Sequence, residues 1–200
     1  MADGVSRVGR ERKRFFIAVD IDDATREQVG RLSTSVREAI GHAKASWVRP
    51  DRMHLTLHFF GSADAALEEH AREVFARPIG EAPFDVSFDG LGSFPERGSP
   101  RVLWLGVGAG LAQLRRLQLA LVVGGGNRVE PRHTGESFSP HLTLARLRDR
   151  VPRARIAEIA DIRASAGPAR IDRVTLYESR LLPAGPIYVP LAEALLIPSD

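Results

Sequence analysis

A tetrapeptide that contains one histidine and one threonine occurs twice in the chain. His-Leu-Thr-Leu begins at His54 and again at His141, although histidine accounts for only 6 of the 200 residues. Successive side chains of a β-strand point to opposite faces of the sheet. Each histidine would therefore share a face with its threonine, Thr56 or Thr143, and the leucines would share the other face. If a pseudo-twofold axis relates the halves of the chain, two imidazoles and two hydroxyls meet across one cleft.

Two histidines that face one space are suited to general acid–base catalysis. An unperturbed imidazole titrates at about pH 6.5, so one ring can accept a proton while the other donates one. Threonine hydroxyls donate hydrogen bonds without adding charge. A phosphodiester fits such a set, because it places non-bridging oxygens between a nucleophile and a leaving oxygen. We therefore expect acid–base catalysis on a phosphodiester.

A zinc site is the competing interpretation of the same histidines. Zinc usually has three or four protein ligands. Strict alternation along the strand makes His58 the nearest third candidate, on the face of His54 and Thr56. The chain contains no cysteine, and neither tetrapeptide has a carboxylate at ligand spacing. We therefore expect no metal and no other cofactor.

The composition is that of an ordinary globular protein, 44% hydrophobic and 26% charged. Lys13 and Lys44 are the two lysines, so 26 of the 28 basic residues are arginine (28 − 2). The planar guanidinium suits phosphate, although a codon bias toward arginine explains the same excess. A formal net charge of +3 permits a polyanionic partner without requiring one.

The chain is short enough for one domain. No apolar segment approaches the roughly 20 residues of a membrane span, so we expect a cytoplasmic, soluble monomer with no membrane partner. The basic and polar residues 1–13 are predicted to form a disordered leader. Residues 14–200 are predicted to form a single bilobed domain, because no linker separates its halves.

Hydrophobic periodicity and turn residues divide the chain into helices and strands. Helices are predicted at 24–40, 65–76, 111–123 and 151–162. Strands are predicted at 15–21, 54–60, 84–94, 101–107, 141–147, 169–177 and 187–196, with a short extended piece at 47–48. A polar loop is predicted around 124–140. The order indicates an α+β fold in which each half of the chain builds one lobe around its tetrapeptide.

Five stretches in this order resemble a known family. They are RFFIAVDID, WVRPDRMHLTLHFFG, FDGLGSFPERGSPRVLWLGV, FSPHLTLARL and VTLYESRLLPAGPIYVPL. The chain resembles the RNA 2′,3′-cyclic phosphodiesterases, or 2′-5′ RNA ligase-like proteins, of the 2H phosphoesterase superfamily. The resemblance implies two pseudo-symmetric antiparallel-sheet lobes with outer helices and a central cleft. It also implies metal-independent hydrolysis of an RNA 2′,3′-cyclic phosphate end to a 2′-phosphomonoester, with reversible 2′-5′ ligation.

The resemblance carries the family's catalytic histidines to His54 and His141, and its phosphate-binding threonines to Thr56 and Thr143. We assign His54 as the acid and His141 as the base, although the symmetry of the motifs leaves the two roles nearly interchangeable. Arg146, in HLTLAR, is a further phosphate-binding candidate by resemblance. Strict alternation puts Arg146 opposite His141, so it contributes only if the strand ends or bulges there.

Three questions remain open on the sequence. Trp104 and Tyr177 could stack on a base or pack in the core or at its rim. A non-catalytic RNA-binding module would use the same cleft and arginines without turnover. A phosphodiesterase for a small cyclic nucleotide would use the same histidines on a different substrate.

Overall fold

The structure, a computed structural model, describes residues 13–63, 65–124, 138–183 and 185–198. Within these ranges the α-helices are α1 (Asp23–Ile40), α2 (Ala65–Phe75), α3 (Leu111–Gly124) and α4 (Arg153–Ala160), and a 3₁₀ turn spans Pro50–Arg52. The strands are β1 (Lys13–Asp20), β2 (Ala45–Trp47), β3 (His54–Ala63), β4 (Phe84–Phe94), β5 (Val102–Val107), β6 (His141–Leu147), β7 (Ser165–Ile171), β8 (Arg173–Leu182) and β9 (Gly185–Leu195). Residues 1–12 of the predicted leader and 125–137 of the predicted loop lie outside the described residues.

The strands form one antiparallel sheet in the order β7-β4-β5-β6-β3-β1-β8-β9, with β2 beside β6. Its two halves meet where β3 and β6 share a single register pair, Leu55 with Leu142. We call β3, β1, β8 and β9 the first lobe, and β6, β5, β4 and β7 the second lobe. The predicted α+β architecture of two antiparallel lobes is confirmed.

The lobes are not the two halves of the chain, and that prediction was wrong. Strands β8 and β9, from the end of the chain, pair with β1 and complete the first lobe. Helix α1, from the beginning of the chain, packs on β7 and α4 of the second lobe, whereas α2 and α3 pack on the first. The sequence order of the elements carries no record of these long-range pairings.

The strand predicted at 169–177 is two strands, β7 and β8, which separate at Asp172. Strand β7 pairs with β4 at the edge of the second lobe, whereas β8 pairs with β1 in the first lobe. The chain therefore crosses between lobes within a run that has the hydrophobic pattern of one strand. The predicted helix at 151–162 is also shorter, because Pro152 precedes it with an extended backbone (ψ 141°).

The first helix begins and ends at residues with clear capping chemistry. The Asp22 side chain accepts a hydrogen bond from the Thr25 N–H at 2.7 Å, so Asp22 is the N-cap and the helix begins at Asp23, one residue before the predicted start at 24. Gly41 ends the helix with φ 70°, a conformation that glycine adopts without strain. The cap sets the start of α1, three residues after β1 ends at Asp20.

The two lobes have the same strand register around their tetrapeptides. Strand β1 against β3 repeats β5 against β6 residue by residue, including one extra residue in β3 and in β6. The matching pairs are Asp20–His54 with Gly106–His141, Val19–Leu55 with Leu105–Leu142, Ala18–Thr56 with Trp104–Thr143, and Ile17–His58 with Leu103–Ala145. The sheet therefore has a pseudo-twofold relation centred on the Leu55–Leu142 pair.

The leucines of both tetrapeptides lie in the hydrophobic core. Leu55, Leu142 and Leu144 are 0% exposed and Leu57 is 2% exposed. Burying a leucine side chain stabilises a fold by about 1.5–3 kcal/mol. The leucines thus anchor β3 and β6 to the core, and the alternating histidines and threonines are left for the opposite face.

Candidate active site

A cavity of about 450 Å³ lies over the junction of the two lobes. Its wall includes five side chains that the sequence selected, namely His54, Thr56, His141, Thr143 and Arg146. Strand alternation brings the first four to this face, two from each lobe. We call this space the central cavity.

A bulge in β6 brings Arg146 to the same face. Trp104 of β5 is opposite Thr143, but the next residue back, Leu103, is opposite Ala145. One residue along β5, from Trp104 to Leu103, thus corresponds to two residues along β6, from Thr143 to Ala145. This bulge reverses the alternation of faces beyond Leu144. Arg146 is exposed and lines the central cavity, whereas strict alternation had placed it opposite His141.

The matching bulge in β3 removes His58 from that face. Ala18 is opposite Thr56, and Ile17 is opposite His58. The His58 ring is 7% exposed and contacts the Phe60 ring edge-on, with 4.6 Å between the centroids. The prediction that His58 shares the face of His54 was therefore wrong, and the zinc interpretation loses its nearest third ligand.

Both cavity histidines are held by the same backbone contact. The Nδ1 of His54 is 2.9 Å from the Arg52 carbonyl, and the Nδ1 of His141 is 2.8 Å from the Ser139 carbonyl. A carbonyl oxygen only accepts hydrogen bonds, so each Nδ1 carries the proton. This tautomer leaves Nε2 of each ring as the nitrogen that can exchange protons.

Burial lowers the pKa of His54 and the pKa of His141 below the ordinary imidazole value, because the charged rings lose solvation. The carbonyl contacts oppose this shift, and so does the Asp20 carboxylate for His54. The Arg146 guanidinium lowers the pKa of both rings further. Near neutral pH both rings of the free protein are therefore neutral, and an anion between them would favour proton uptake by one.

Arginine dominates the charge of the central cavity. Arg49, Arg52 and Arg148 line it together with Arg146, and no carboxylate side chain is among its described lining residues. Arg52 donates to the Pro186 carbonyl at 2.9 Å, so it also joins the start of β9 to the segment that leads into β3. Such a wall attracts anions.

Sequence reasoning missed Arg49, Arg52 and Arg148. A signal was present for Arg148, because it follows Arg146 by two residues. Residues two apart in extended chain share a face, so Arg148 could have been grouped with the second motif, whereas Arg52 lies in the 3₁₀ turn Pro50–Arg52, where that period does not hold. Arg49 reaches the cavity through the turn before β3, which local spacing does not predict.

Aromatic rings enclose both histidines. Phe16 stacks on His54 with 4.8 Å between centroids, and Tyr188 meets the same ring edge-on at 5.0 Å. Phe94 meets His141 edge-on at 5.0 Å. These contacts restrict both imidazoles and account for their burial.

The two aromatic residues left open by the sequence both make packing contacts. Trp104 lies against Gly92, where an added Cβ would be 2.2 Å from the indole ring. Tyr177 donates from its hydroxyl to Asp20 at 2.7 Å and packs beside Phe16. Neither is part of the central cavity wall.

The chain matches the 2′-5′ RNA ligase superfamily over residues 21–181. It is 33% identical over 183 residues to an RNA 2′,3′-cyclic phosphodiesterase of Methanothermobacter thermautotrophicus, with 89% of this chain and 96% of the relative covered. An RNA 2′,3′-cyclic phosphodiesterase of Archaeoglobus fulgidus is 34% identical over 193 residues, with coverage of 89% and 97%. The crystal structure of Escherichia coli LigT complexed with 3′-AMP aligns with a TM-score of 0.70 at 26% identity, covering 93% of this chain and 98% of that one.

The sheet is curled and antiparallel, and each lobe places one histidine and one threonine on the wall of the central cavity. This arrangement defines a class of two-lobed proteins in which two imidazoles face one cavity. The chain belongs to the 2′-5′ RNA ligase superfamily. Among the described helices, none has the length and apolar character that a membrane crossing requires.

Proposed function

We propose that this protein is an RNA 2′,3′-cyclic phosphodiesterase that converts a cyclic phosphate end into a 2′-phosphomonoester. One observation carries the proposal. Two imidazoles, each with Nδ1 bound to a carbonyl, approach one arginine-lined cavity from opposite lobes. The names of the relatives from M. thermautotrophicus and A. fulgidus, and the 3′-AMP in the LigT structure, support a nucleotide substrate.

In the proposed reaction, water attacks the cyclic phosphorus in line with the departing 3′ oxygen. His141 accepts a proton from the water through Nε2. His54, protonated in the substrate complex, donates a proton to the 3′ oxygen as its bond to phosphorus breaks. Each such proton transfer contributes on the order of 10²- to 10⁴-fold to the rate. The products are a 2′-phosphate and a free 3′ hydroxyl.

Thr56, Thr143 and Arg146 are proposed to hold the non-bridging oxygens, where negative charge increases in the transition state. Their hydroxyls and guanidinium lie on the cavity wall beside the two rings. Because these groups supply the charge stabilisation and the histidines supply the proton transfers, the scheme needs neither a metal nor another cofactor.

The same site would support 2′-5′ joining. When the 5′ hydroxyl of a second RNA replaces water, His141 takes its proton and the 3′ oxygen leaves as before. The product is a 2′-5′ phosphodiester, and the step is reversible because the histidines exchange roles in the opposite direction. No nucleotide triphosphate is needed, since the cyclic ester provides the bond that is exchanged.

Incubation of the protein with an oligonucleotide that ends in a 2′,3′-cyclic phosphate tests the proposal. We expect a 2′-phosphate product, formed at the same rate with and without EDTA. Loss of activity in EDTA would point to a metal site. Binding without product would favour a non-catalytic RNA-binding module.

A further inference from the structure

The matched register of the two lobes allows their histidines to be compared position by position. The residue across the strand pair from His54 is Asp20, and the residue at the matching place beside His141 is Gly106. Directly opposite residues of an antiparallel pair point to the same face, with Cβ atoms about 4.5–5.5 Å apart. A carboxylate therefore lies beside one histidine, and the other lobe has no side chain at that place.

The next strand repeats this asymmetry. Tyr177 of β8 pairs with Phe16 in the first lobe, and Phe94 of β4 pairs with Val102 in the second lobe. Phe16 and Val102 hold matching positions, so Tyr177 and Phe94 do as well. The first lobe therefore has both the carboxylate and a hydroxyl that can bind it, whereas the two matching positions of the second lobe hold glycine and phenylalanine.

The contacts of Asp20 hold its charge in place. Its Oδ2 accepts the Tyr177 hydroxyl at 2.7 Å and the Thr175 hydroxyl at 3.4 Å, while an Arg26 nitrogen lies 3.9 Å from Oδ1. Asp20, Tyr177 and His54 also line one second cavity, of about 400 Å³. The carboxylate is thus fixed beside the imidazole and borders the same space.

We propose that Asp20, held by Tyr177, is the positioning residue that makes His54, and not His141, the proton donor. The inference rests on the proposed function and deepens it, because it breaks the symmetry that left the two roles interchangeable. A fixed carboxylate stabilises the imidazolium form of the neighbouring ring. Among the described residues, the place beside His141 that matches Asp20 is taken by Gly106, which has no carboxylate, and this suits the role of base.

Among the described charged groups around His54, Asp20 is the carboxylate paired across the strands from the ring. Within the part of the chain that the structure describes, the titratable and charged side chains that surround the ring are Asp20, Arg52, His141, Arg146, Tyr177 and Tyr188. Asp51 borders the second cavity but pairs with Arg49 through two hydrogen bonds of 3.0 and 3.1 Å. Asp20 raises the pKa of His54 against the larger effect of burial, whereas Arg146 lowers the pKa of both rings and His141 lowers that of His54. The carboxylate is the difference between the two sites.

The test compares two substrates that differ at the leaving atom. One is an oligonucleotide with a 2′,3′-cyclic phosphate, and the other has sulfur in place of the bridging 3′ oxygen. A thiolate leaves without a proton, so its departure does not depend on the acid. The variants are Asp20→Asn and Tyr177→Phe, with Asp23→Asn as the matched control, because the exposed Asp23 carboxylate pairs with the same Arg26 at 3.0 Å.

For Asp20→Asn we expect kcat on the oxygen substrate to fall by at least about tenfold, with a change of under about threefold on the sulfur substrate. Tyr177→Phe should show the same selectivity with a smaller loss, and Asp23→Asn should match the wild type on both. Equal losses of Asp20→Asn on both substrates, or no loss on either, would overturn the inference.

His54→Ala and His141→Ala, assayed in parallel, keep the inference separate from the proposed function. His54→Ala should lose activity on the oxygen substrate and retain it on the sulfur substrate, while His141→Ala should lose both. If both histidine variants keep turning over the oxygen substrate, the proposed function itself fails. If they are inactive on it but Asp20→Asn shows no selectivity, only the role of Asp20 fails.

Discussion

His54 and His141 have the same backbone anchor but different surroundings. Each donates from Nδ1 to the carbonyl two residues earlier, so the shared contact sets the same tautomer in both lobes. Phe16 and Tyr188 enclose the first ring, and Phe94 contacts the second. Two identical tetrapeptides therefore produce two proton carriers that are alike in geometry and unlike in electrostatics.

The lowered pKa values of the two rings predict the pH dependence of the reaction. The base works above its pKa and the acid works below its own. Since burial brings both below the ordinary 6.5, kcat/KM, which reports the free enzyme, should be maximal below about pH 6.5. The profile of kcat should lie at higher pH, because a bound phosphate anion favours imidazolium. Steady-state rates from pH 4.5 to 8.5 give both profiles, and a kcat/KM that keeps rising from pH 6.5 to 8 would contradict the prediction.

At the scale of the strand, the bulge in β6 determines whether Arg146 can act. Because the bulge turns this side chain into the central cavity, Arg146→Ala should lower kcat/KM on the order of 10²-fold, the typical loss when a donor to a developing oxyanion is removed. Steady-state kinetics on the cyclic-phosphate oligonucleotide measure the change.

Arg170 provides the matched control for this variant. It is also an exposed strand arginine, but it lies on β7 and pairs with Asp85 at 3.3 Å. Arg170→Ala should stay within about threefold of the wild type, as expected of a surface ion pair. Similar losses in both variants would show that Arg146 has no specific part in the reaction.

The contact between β3 and β6 should contribute to the stability of the fold. Leu142 is 0% exposed and forms the register pair that joins the lobes. Leu142→Ala should lower the free energy of unfolding by about 2–5 kcal/mol, since it removes buried methyl groups and leaves a cavity. Urea denaturation measures this, with Leu181→Ala as the control because Leu181 is 64% exposed. Equal stability of the two variants would contradict the proposed importance of the junction.

Strand alternation predicts the faces of the tetrapeptides and fails immediately beyond them. The period of two places His54 with Thr56 and His141 with Thr143, because both copies are regular strand. One extra residue in each strand then reverses the pattern. Strict alternation therefore put His58 on the wrong face and could not decide which face Arg146 occupies. A bulge depends on the register with the neighbouring strand, and local residue types do not reveal that register.

At the scale of the whole molecule, the two-lobed shape was predictable but the membership of the lobes was not. The repeated tetrapeptide and the strand–helix order indicate two similar halves. Strands β8 and β9 nevertheless join the first lobe across more than half the chain, and α1 packs on the second. Such pairings are settled by which apolar faces fit each other in space, a property of the whole chain.

The distribution of charge predicts how the protein distinguishes RNA from a small nucleotide. The formal charge is only +3, yet four arginines line the central cavity. Between about 50 and about 200 mM salt, KM for a cyclic-phosphate oligonucleotide should rise roughly tenfold, as expected when two to three phosphates of a single strand are neutralised. For a nucleoside 2′,3′-cyclic monophosphate the rise should stay under about threefold. Equal salt dependence and equal kcat/KM for the two substrates would favour a small cyclic nucleotide as the substrate.

The most direct test of the two-histidine mechanism is the turnover of a cyclic-phosphate oligonucleotide by His54→Ala and by His141→Ala, measured in EDTA. Circular dichroism of each variant serves as the control for folding. Each substitution removes one of the two proton transfers, so each should lower turnover by at least about 10²-fold while the fold is retained. Near-wild-type turnover by either folded variant would contradict the claim that the two imidazoles share the reaction.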